Sequence, residues 1–218
     1  MKRFENEKWK IVLTSLLTLS PLFIGLILWR KLPEQIPTHF NYLGQADQYS
    51  SKAFAVFVPS LFLFLLHLLC LFVTGKDPDN KNVSDKIMNL VIWICPLISF
   101  YLSFLMYGNV NGSKIPAVKA SAILVGAMFV FIGNYMPKCR YNHTVGIRLP
   151  WTLKDVEVWD KTHRFGGYTM LTAGMVSLFS VFFDERITSL LLLIDLLFAA
   201  LIPAIYSYLL YRKKHSQQ

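Results

Sequence analysis

The sequence contains few charged residues: they make up 16% of its 218 positions, against about 25% in an average soluble domain. Asp, Glu, Lys and Arg are absent from 11–29, 53–75, 87–113, 120–137 and 165–183, and Asp195 is the single one in 187–211. A helix that crosses a bilayer needs about 20 apolar residues. The distribution therefore excludes a soluble enzyme, a disordered chain and a disulfide-rich secreted domain, and it leaves a polytopic helical membrane protein.

Cysteine is also scarce, with three in the chain. Cys70 and Cys95 lie inside charge-free stretches, whereas Cys139 lies between two of them. This number and placement exclude a disulfide framework. We expect three reduced, unpaired thiols.

We predict an all-α, polytopic membrane fold with six transmembrane helices. The predicted spans are 10–29, 54–74, 87–107, 116–135, 166–183 and 188–210. The first two spans and the loop 30–52 between them form an N-terminal module over 1–86. The other four spans form the region 87–218, and we expect one integrated bundle.

The net charge of +9 is interpreted as membrane topology and not as a nucleic-acid footprint. If the six spans alternate, 16 of the 22 Lys and Arg residues lie on the side that holds both termini and 6 lie on the other. Cytoplasmic loops carry the excess of positive residues. Both termini are therefore predicted to be cytoplasmic, with membrane lipid and not nucleic acid as the expected surroundings.

The outer loop, residues 30–52, has strand and turn character. Pro37 and its predecessor favour extended backbone, Gly44 suits a turn, and Asn41 and Asp47 can bond local backbone groups. Three interpretations stay open: a segment that only packs over the helices, a binding surface for an extracellular ligand, and a metal site built from His39 and Asp47. The metal site is the least favoured of the three and we assign no metal ligands, because zinc needs three or four ligands and no HExxH-type spacing is present.

The inner loop, residues 134–165, is the most informative stretch. Thr152 with Asp155 approximates a capping box, which predicts a helix over 153–165 that ends at Gly166-Gly167. On such a helix, Trp159 and His163 share a face. Trp151 and Trp159 suit the headgroup level, so the segment is expected to lie in the inner membrane interface.

Two arginines of the inner loop have two interpretations. Arg140 and Arg148 either pair with lipid phosphate and fix the topology, or they contact a partner or an acidic group inside the bundle. A metal site from Cys139, His143 and His163 is a weaker alternative, because their spacing matches no standard pattern.

Two ionisable residues lie deep in the predicted spans, His67 and Asp195. Such residues usually face the interior of a bundle. The rise of an α-helix places them at depths that differ by about 9 Å, which argues against a direct pair. Interhelical hydrogen bonding is the ordinary interpretation, and a proton or ion relay would need more acidic residues in the spans.

The inner-loop string Gly-Asn-Tyr-Met-Pro-Lys-Cys-Arg-Tyr-Asn-His-Thr-Val-Gly-Ile-Arg-Leu-Pro-Trp-Thr-Leu, followed by Val-Trp-Asp-Lys-Thr-His-Arg-Phe-Gly-Gly, strongly resembles the signature of SdpI-type membrane proteins. The outer-loop string Leu-Pro-Glu-Gln-Ile-Pro-Thr-His-Phe-Asn resembles the uncharacterised N-terminal module that those proteins often carry. The inner-loop positions that match are Asn134, Pro137, Arg140, Asn142, Gly146, Arg148, Pro150, Trp151, Trp159, Thr162, His163 and Gly166. The outer-loop positions that match are Pro37, His39, Asn41, Gly44 and Asp47.

The resemblance implies bacteriocin immunity in the bacterial cytoplasmic membrane. The founding member protects Bacillus cells from the secreted sporulation-delay toxin, and it is also connected with sensing that toxin and holding a transcriptional repressor at the membrane. The implied partners are a peptide toxin and, for members that signal, a cytosolic repressor; no cofactor is expected. Two other classes stay open, a small-solute or peptide transporter and, with no supporting nucleophile–base spacing, an intramembrane enzyme.

Overall fold

The computed structural model of the chain describes residues 8–79, 82–108 and 115–216. These residues contain six long α-helices, a two-stranded hairpin and a short 3₁₀ turn at Met136–Lys138. The helices are α1 (Lys8–Ile27), α2 (Lys52–Lys76), α3 (Asp85–Gly108), α4 (Ala117–Tyr135), α5 (Val156–Ser180) and α6 (Glu185–His215). The strands are β1 (Gln35–Phe40) and β2 (Ala46–Ser51), which pair antiparallel.

Five of these helices, α1, α2, α3, α4 and α6, are long and apolar enough to cross a membrane. They match five of the predicted spans, because an unbroken run of apolar residues satisfies its backbone polar groups only as a helix in lipid. Helix α5 is long as well, but its first turns carry charged residues such as Glu157, Asp160 and Lys161. Within the described residues, the all-α class is confirmed and the hairpin is its only sheet.

The chain divides into two compact units. The first consists of Met1–Lys76 and Asn89–Ala117, and the second of Asp77–Met88 and Val118–Gln218. Helix α3 contributes residues to both units, since the division falls between Met88 and Asn89.

In the first unit, α1 packs beside α2 and the hairpin lies between them in sequence. A small apolar core of Leu32, Ile36, Ala55, Val56 and Met106 joins the hairpin to the ends of the helices. Ile36 and Val56 are fully buried, so both pack against neighbours on all sides. The core therefore fixes where the hairpin begins relative to α2.

In the second unit, α4 and α5 approach closely through glycines. A methyl group added at Gly126 would lie 2.9 Å from the carbonyl oxygen of Gly174, and one at Gly133 would lie 2.8 Å from that of Gly167. Each contact is reciprocal. A methyl group at Gly174 would lie 2.7 Å from the carbonyl oxygen of Gly126, and one at Gly167 would lie 2.8 Å from that of Gly133. Small residues allow helix backbones to approach in this way in membrane proteins.

The prediction of a helix over 153–165 is wrong at both ends. Asp155 is the N-cap of α5, since its carboxylate accepts the backbone N–H groups of Glu157 and Val158. The helix does not stop at Gly166-Gly167 but continues to Ser180. These glycines serve packing instead: Gly167 lies against Gly133 and Pro137, and Gly166 lies against Ile147.

Candidate functional site

Asn142 organises the inner loop from inside. Its side chain is fully buried, and its Oδ1 accepts the backbone N–H groups of Thr144 (2.9 Å) and Val145 (2.6 Å). Its Nδ2 donates to the carbonyl oxygens of Arg140 and Val145, both at 2.9 Å. One side chain thus satisfies donors and acceptors that a turn without regular structure would leave unpaired.

Trp159 and His163 of α5 form the floor beneath this loop. Both side chains are buried, and their rings stack with centroids 4.0 Å apart. The indole Nε1 of Trp159 donates to the carbonyl oxygen of Cys139 at 2.9 Å. The loop thus covers the Trp159 ring and gives its N–H a partner, and the expected headgroup depth of Trp159 stays a prediction.

The backbone of the loop determines the tautomer of His163. The N–H of Ile147 donates to His163 Nε2 at 2.9 Å, so that nitrogen carries no proton. The other ring nitrogen, Nδ1, then donates to the carbonyl oxygen of Trp159 at 2.8 Å. A neutral imidazole with this tautomer holds the loop at Ile147.

Acidification is expected to loosen the inner loop through His163. Burial lowers the pKa of His163 below its ordinary value, and a protonated ring cannot accept the N–H of Ile147. The unfolded imidazole, with a pKa of about 6.5, binds the proton more readily than the folded one. The contribution of His163 to stability is thus fully present above that pH and is lost as the pH falls through the folded-state pKa.

The measurement is the midpoint of thermal unfolding in nanodiscs between pH 8 and pH 5, for the wild type and for His163→Gln. We expect the wild-type midpoint to fall more steeply below about pH 6.5, since glutamine does not titrate. Parallel curves for the two proteins would contradict the assigned role of His163.

Gly146 is the tightest point of the loop. Its φ is +127°, a conformation that favours glycine, and a methyl group there would clash with His163 Nε2 and lie 3.1 Å from the Trp159 ring. The residue is glycine for two independent reasons, backbone conformation and space.

Asp77, from the connection between α2 and α3, anchors the loop from a second side. Its carboxylate accepts the backbone N–H of His143 at 3.0 Å and the hydroxyl of Thr144. Burial alone would raise the pKa of Asp77, but the hydrogen bonds from Thr144 and from the backbone of Asp79 and His143 lower it below its usual value. Asn82 adds a bond from its Nδ2 to the carbonyl oxygen of Tyr141 at 3.1 Å.

The end of the inner loop is fixed by Thr152 and Trp151. The Thr152 hydroxyl accepts the N–H of Leu149 at 2.9 Å and donates to the carbonyl oxygen of Ile147 at 2.8 Å. The Thr152 hydroxyl therefore closes a turn within the loop. The predicted capping role of Thr152 is wrong, since Asp155 caps α5. Trp151 Nε1 donates to the hydroxyl of Ser207 on α6 at 2.8 Å.

The thiol of Cys139 is enclosed by the same turns. Burial raises the pKa of Cys139 to about 11, although a contact from Asn142 Nδ2 opposes the shift. At neutral pH this thiol is therefore a poor nucleophile. Cys139, His143 and His163 each have different partners in the second unit, so the structure gives no support to a metal site made of these three.

The remaining inner-loop motif positions lie around this core. Arg140 and Arg148 are exposed, and Arg148 Nη1 donates to the carbonyl oxygen of Thr144 at 3.2 Å. Thr162 is fully buried, and its hydroxyl has no hydrogen-bond partner among the described residues. Three more positions are Asn134 in the last turn of α4, Pro137 in the 3₁₀ turn and Pro150 at an exposed turn.

The outer loop folds into the β1–β2 hairpin, so its predicted strand and turn are confirmed and a second strand is added. Asn41 Oδ1 accepts the N–H groups of Leu43 (2.9 Å) and Gln45 (3.0 Å), and Gly44 has a φ of +71°. His39 Nδ1 lies 2.6 Å from Asp47 Oδ1 across the strands, and Pro37 is paired with Tyr49. His39 and Asp47 thus form an exposed cross-strand pair, which stabilises the hairpin modestly.

His67 and Asp195 face the interior of their own units, as predicted. His67 is fully buried, and its Nε2 lies 3.3 Å from the hydroxyl of Thr14 on α1. Asp195 is buried on α6 and accepts the hydroxyl of Ser177 on α5 at 2.7 Å. Both contacts join neighbouring helices, which is the interhelical role expected for polar groups in spans.

Known proteins resemble this chain in two separate regions. Residues 138–207 match the model of the SdpI/YfhL protein family, and residues 16–64 match a domain of unknown function (DUF1648). The immunity protein SdpI of Bacillus subtilis (strain 168) is 24% identical over 208 residues, which cover 94% of this chain and 97% of that protein. No solved structure matches. The matched region 138–207 contains most of the inner loop, all of α5 and most of α6, so the similarity to SdpI-type proteins includes the residues described above. With its apolar helices, the chain is a multi-pass cell-membrane protein.

Proposed function

We propose that this protein is an integral membrane immunity protein that protects its cell against a secreted peptide toxin. The observation that carries the proposal is the similarity to an immunity protein along 94% of the chain. The contacts within the inner loop support it as well, because the loop residues that match the family motif, such as Asn142, Gly146 and His163, are the ones that contact one another. We further propose that the protein acts by binding and not by catalysis.

The proposed topology has six crossings, with α5 as the fifth, and both termini in the cytoplasm. The charge bias supports it, with 16 of 22 Lys and Arg residues on the cytoplasmic side,. A contact within the second unit supports it as well. Asp77 and Asn82 bond the inner loop at Thr144 and Tyr141, and this needs both segments on one face of the membrane, as two crossings by α3 and α4 provide.

In this topology the hairpin lies outside the cell, where a secreted peptide arrives. The hairpin has two strands, so it offers strand edges to which an extended peptide can add,. The side chains of Tyr42 and Tyr49 are 60% and 57% exposed. Aromatic side chains are common anchors in interfaces. We propose that the toxin is captured there.

For members that signal, the inner loop is the proposed contact for a cytosolic repressor. Arg140 and Arg148 are exposed cations on the loop, and either can pair with an acidic group of a partner. If toxin capture alters repressor affinity, the repressor must alter toxin affinity by the same factor. This reciprocity makes the signalling proposal testable separately from protection.

The test of toxin capture is peptide binding to the purified protein in nanodiscs. The probe is the labelled sporulation-delay toxin implied by the family resemblance, titrated against the wild type, Tyr49→Ala and Tyr168→Ala. Tyr168 is the matched control, because its side chain on α5 is 65% exposed but lies outside the hairpin. We expect Tyr49→Ala to weaken binding about tenfold or more and Tyr168→Ala to leave it unchanged.

Two results would contradict the binding proposal. Equal effects of the two tyrosine substitutions would remove the hairpin as the capture site. No binding by the wild type, together with peptide or solute flux in liposomes that contain it, would favour the transporter.

A further inference from the structure

Three side chains that commonly bind metals meet at the edge of the second unit. Asp77 and Asp79 come from the connection between α2 and α3, and His143 comes from the inner loop; one ligand atom of each lies within 4.8 Å of the other two. His143 Nδ1 is 3.1 Å from Asp79 Oδ2 and 3.9 Å from Asp77 Oδ1. The same ring nitrogen therefore faces two carboxylates.

A contact outside this cluster orients the His143 ring. The hydroxyl of Tyr141 donates to the carbonyl oxygen of Leu153 at 2.9 Å, and His143 Nε2 lies 3.3 Å from the oxygen of the same hydroxyl. The other ring nitrogen, Nδ1, therefore points at the two carboxylates.

Two carboxylates that converge on one imidazole nitrogen form a ligand set that divalent transition-metal ions bind. We propose that Asp77, Asp79 and His143 bind one divalent transition-metal ion, of the class that combines imidazole and carboxylate ligands, with Zn²⁺ as the representative probe. An ion with +2 charge neutralises both carboxylates. One imidazole nitrogen and two carboxylate oxygens form a three-ligand set that leaves a position for water.

The separations suit such an ion. Zn²⁺ binds His nitrogen and carboxylate oxygen at about 2.0–2.2 Å, so tetrahedral ligands lie about 3.3–3.6 Å apart. The two separations from His143 Nδ1 to the carboxylate oxygens, 3.1 and 3.9 Å, lie on either side of that range. Small side-chain adjustments of the ligands bring them to it.

The surroundings hold the ligands in place and leave a path for entry. The Asp77 side chain is fully buried, and its carboxylate is fixed by Thr144, the N–H of His143 and the N–H of Asp79. The Asp79 side chain is 31% exposed and that of His143 is 50% exposed, so an ion can reach the site from water. Tyr141 orients the imidazole through its other nitrogen, as outer-shell partners of metal ligands do.

The bound ion would tie the α2–α3 connection to the inner loop. It would act next to Asn142 and Thr144, where the loop takes its shape. This inference does not depend on the immunity proposal, since it concerns the shape of the loop and not what the protein binds outside the cell.

The test is Zn²⁺ binding to the full chain in nanodiscs after treatment with a chelator. We expect the wild type to bind one equivalent, and Asp79→Asn or His143→Gln to weaken the affinity at least about tenfold, the loss that even an outer-shell substitution causes. His39→Gln is the matched control, because His39 also pairs with a carboxylate, that of Asp47 at 2.6 Å, but is not one of the proposed ligands. Mg²⁺ should not compete, since it prefers oxygen ligands.

A second readout uses the wild type alone and does not depend on whether a variant folds. Zn²⁺ should slow hydrogen exchange at the backbone amides of 141–145. A wild type that binds no Zn²⁺ would overturn the proposal. The proposal would also be overturned if Asp79→Asn bound as much Zn²⁺ as the wild type and Zn²⁺ did not slow hydrogen exchange at 141–145.

Discussion

Replacement of Gly146 by alanine will unfold the inner loop. The alanine must adopt a φ of +127°, and its methyl group clashes with His163 Nε2, the atom that accepts the N–H of Ile147. Relief of the clash moves either the Trp159–His163 stack or the loop. Backbone strain and the lost hydrogen bond together should lower the free energy of unfolding by about 3–5 kcal/mol.

The measurement for Gly146→Ala is maleimide labelling of Cys139, with Cys70 and Cys95 replaced by serine. In the folded loop Cys139 is buried and its pKa is raised to about 11, so labelling is slow. The glycine substitution should accelerate it to the rate of the denatured protein. Gly44→Ala is the control: its φ of +71° carries a strain of about 1–2 kcal/mol, and it lies outside the inner loop. Slow labelling in Gly146→Ala would contradict the prediction.

Replacement of Gly133 by alanine will separate α4 from α5. The new methyl group would lie 2.8 Å from the carbonyl oxygen of Gly167 and 2.8 Å from the backbone nitrogen of Leu171. Backbone atoms cannot rotate away as the end of a side chain can, so the two helices must move apart along the facing glycines. We expect the midpoint of thermal unfolding to fall by about 5 °C or more.

Gly108→Ala is the matched control for Gly133→Ala. It is the same substitution in another long helix, but the added methyl group meets only the end of the Ile115 side chain, which can rotate. The control should unfold close to the wild-type midpoint. Equal destabilisation by the two substitutions would show that the α4–α5 approach has no special role.

The helices were predictable because a charge-free run of about 20 residues has few alternatives to a helix in lipid. Helix α5 was not, since it combines a charged first half with an apolar second half. Its Gly166-Gly167 pair resembles a helix end in sequence, whereas the structure uses both glycines for close packing. A single sequence does not distinguish these two uses of glycine.

The candidate site was predictable in its residues but not in its geometry. The motif identified Asn142, Gly146 and His163, and these proved to hold one another in the loop. Trp159 was expected at a membrane surface because an amphipathic ring suits that depth, but the loop covers it. Asp77 was missed, because it lies 66 residues from His143 and no spacing pattern joins two such distant segments.

We propose that this protein alone protects a cell from a peptide toxin. The most direct test of this proposal is survival of a toxin-sensitive strain that expresses the chain, challenged with the sporulation-delay toxin at a concentration that kills cells with the empty vector. Arg148→Ala runs beside the wild type with membrane expression confirmed for both. We predict that the wild type survives and that Arg148→Ala survives as well, because Arg148 is the proposed repressor contact and lies outside the hairpin. Death of wild-type cells with normal membrane expression would contradict the claim.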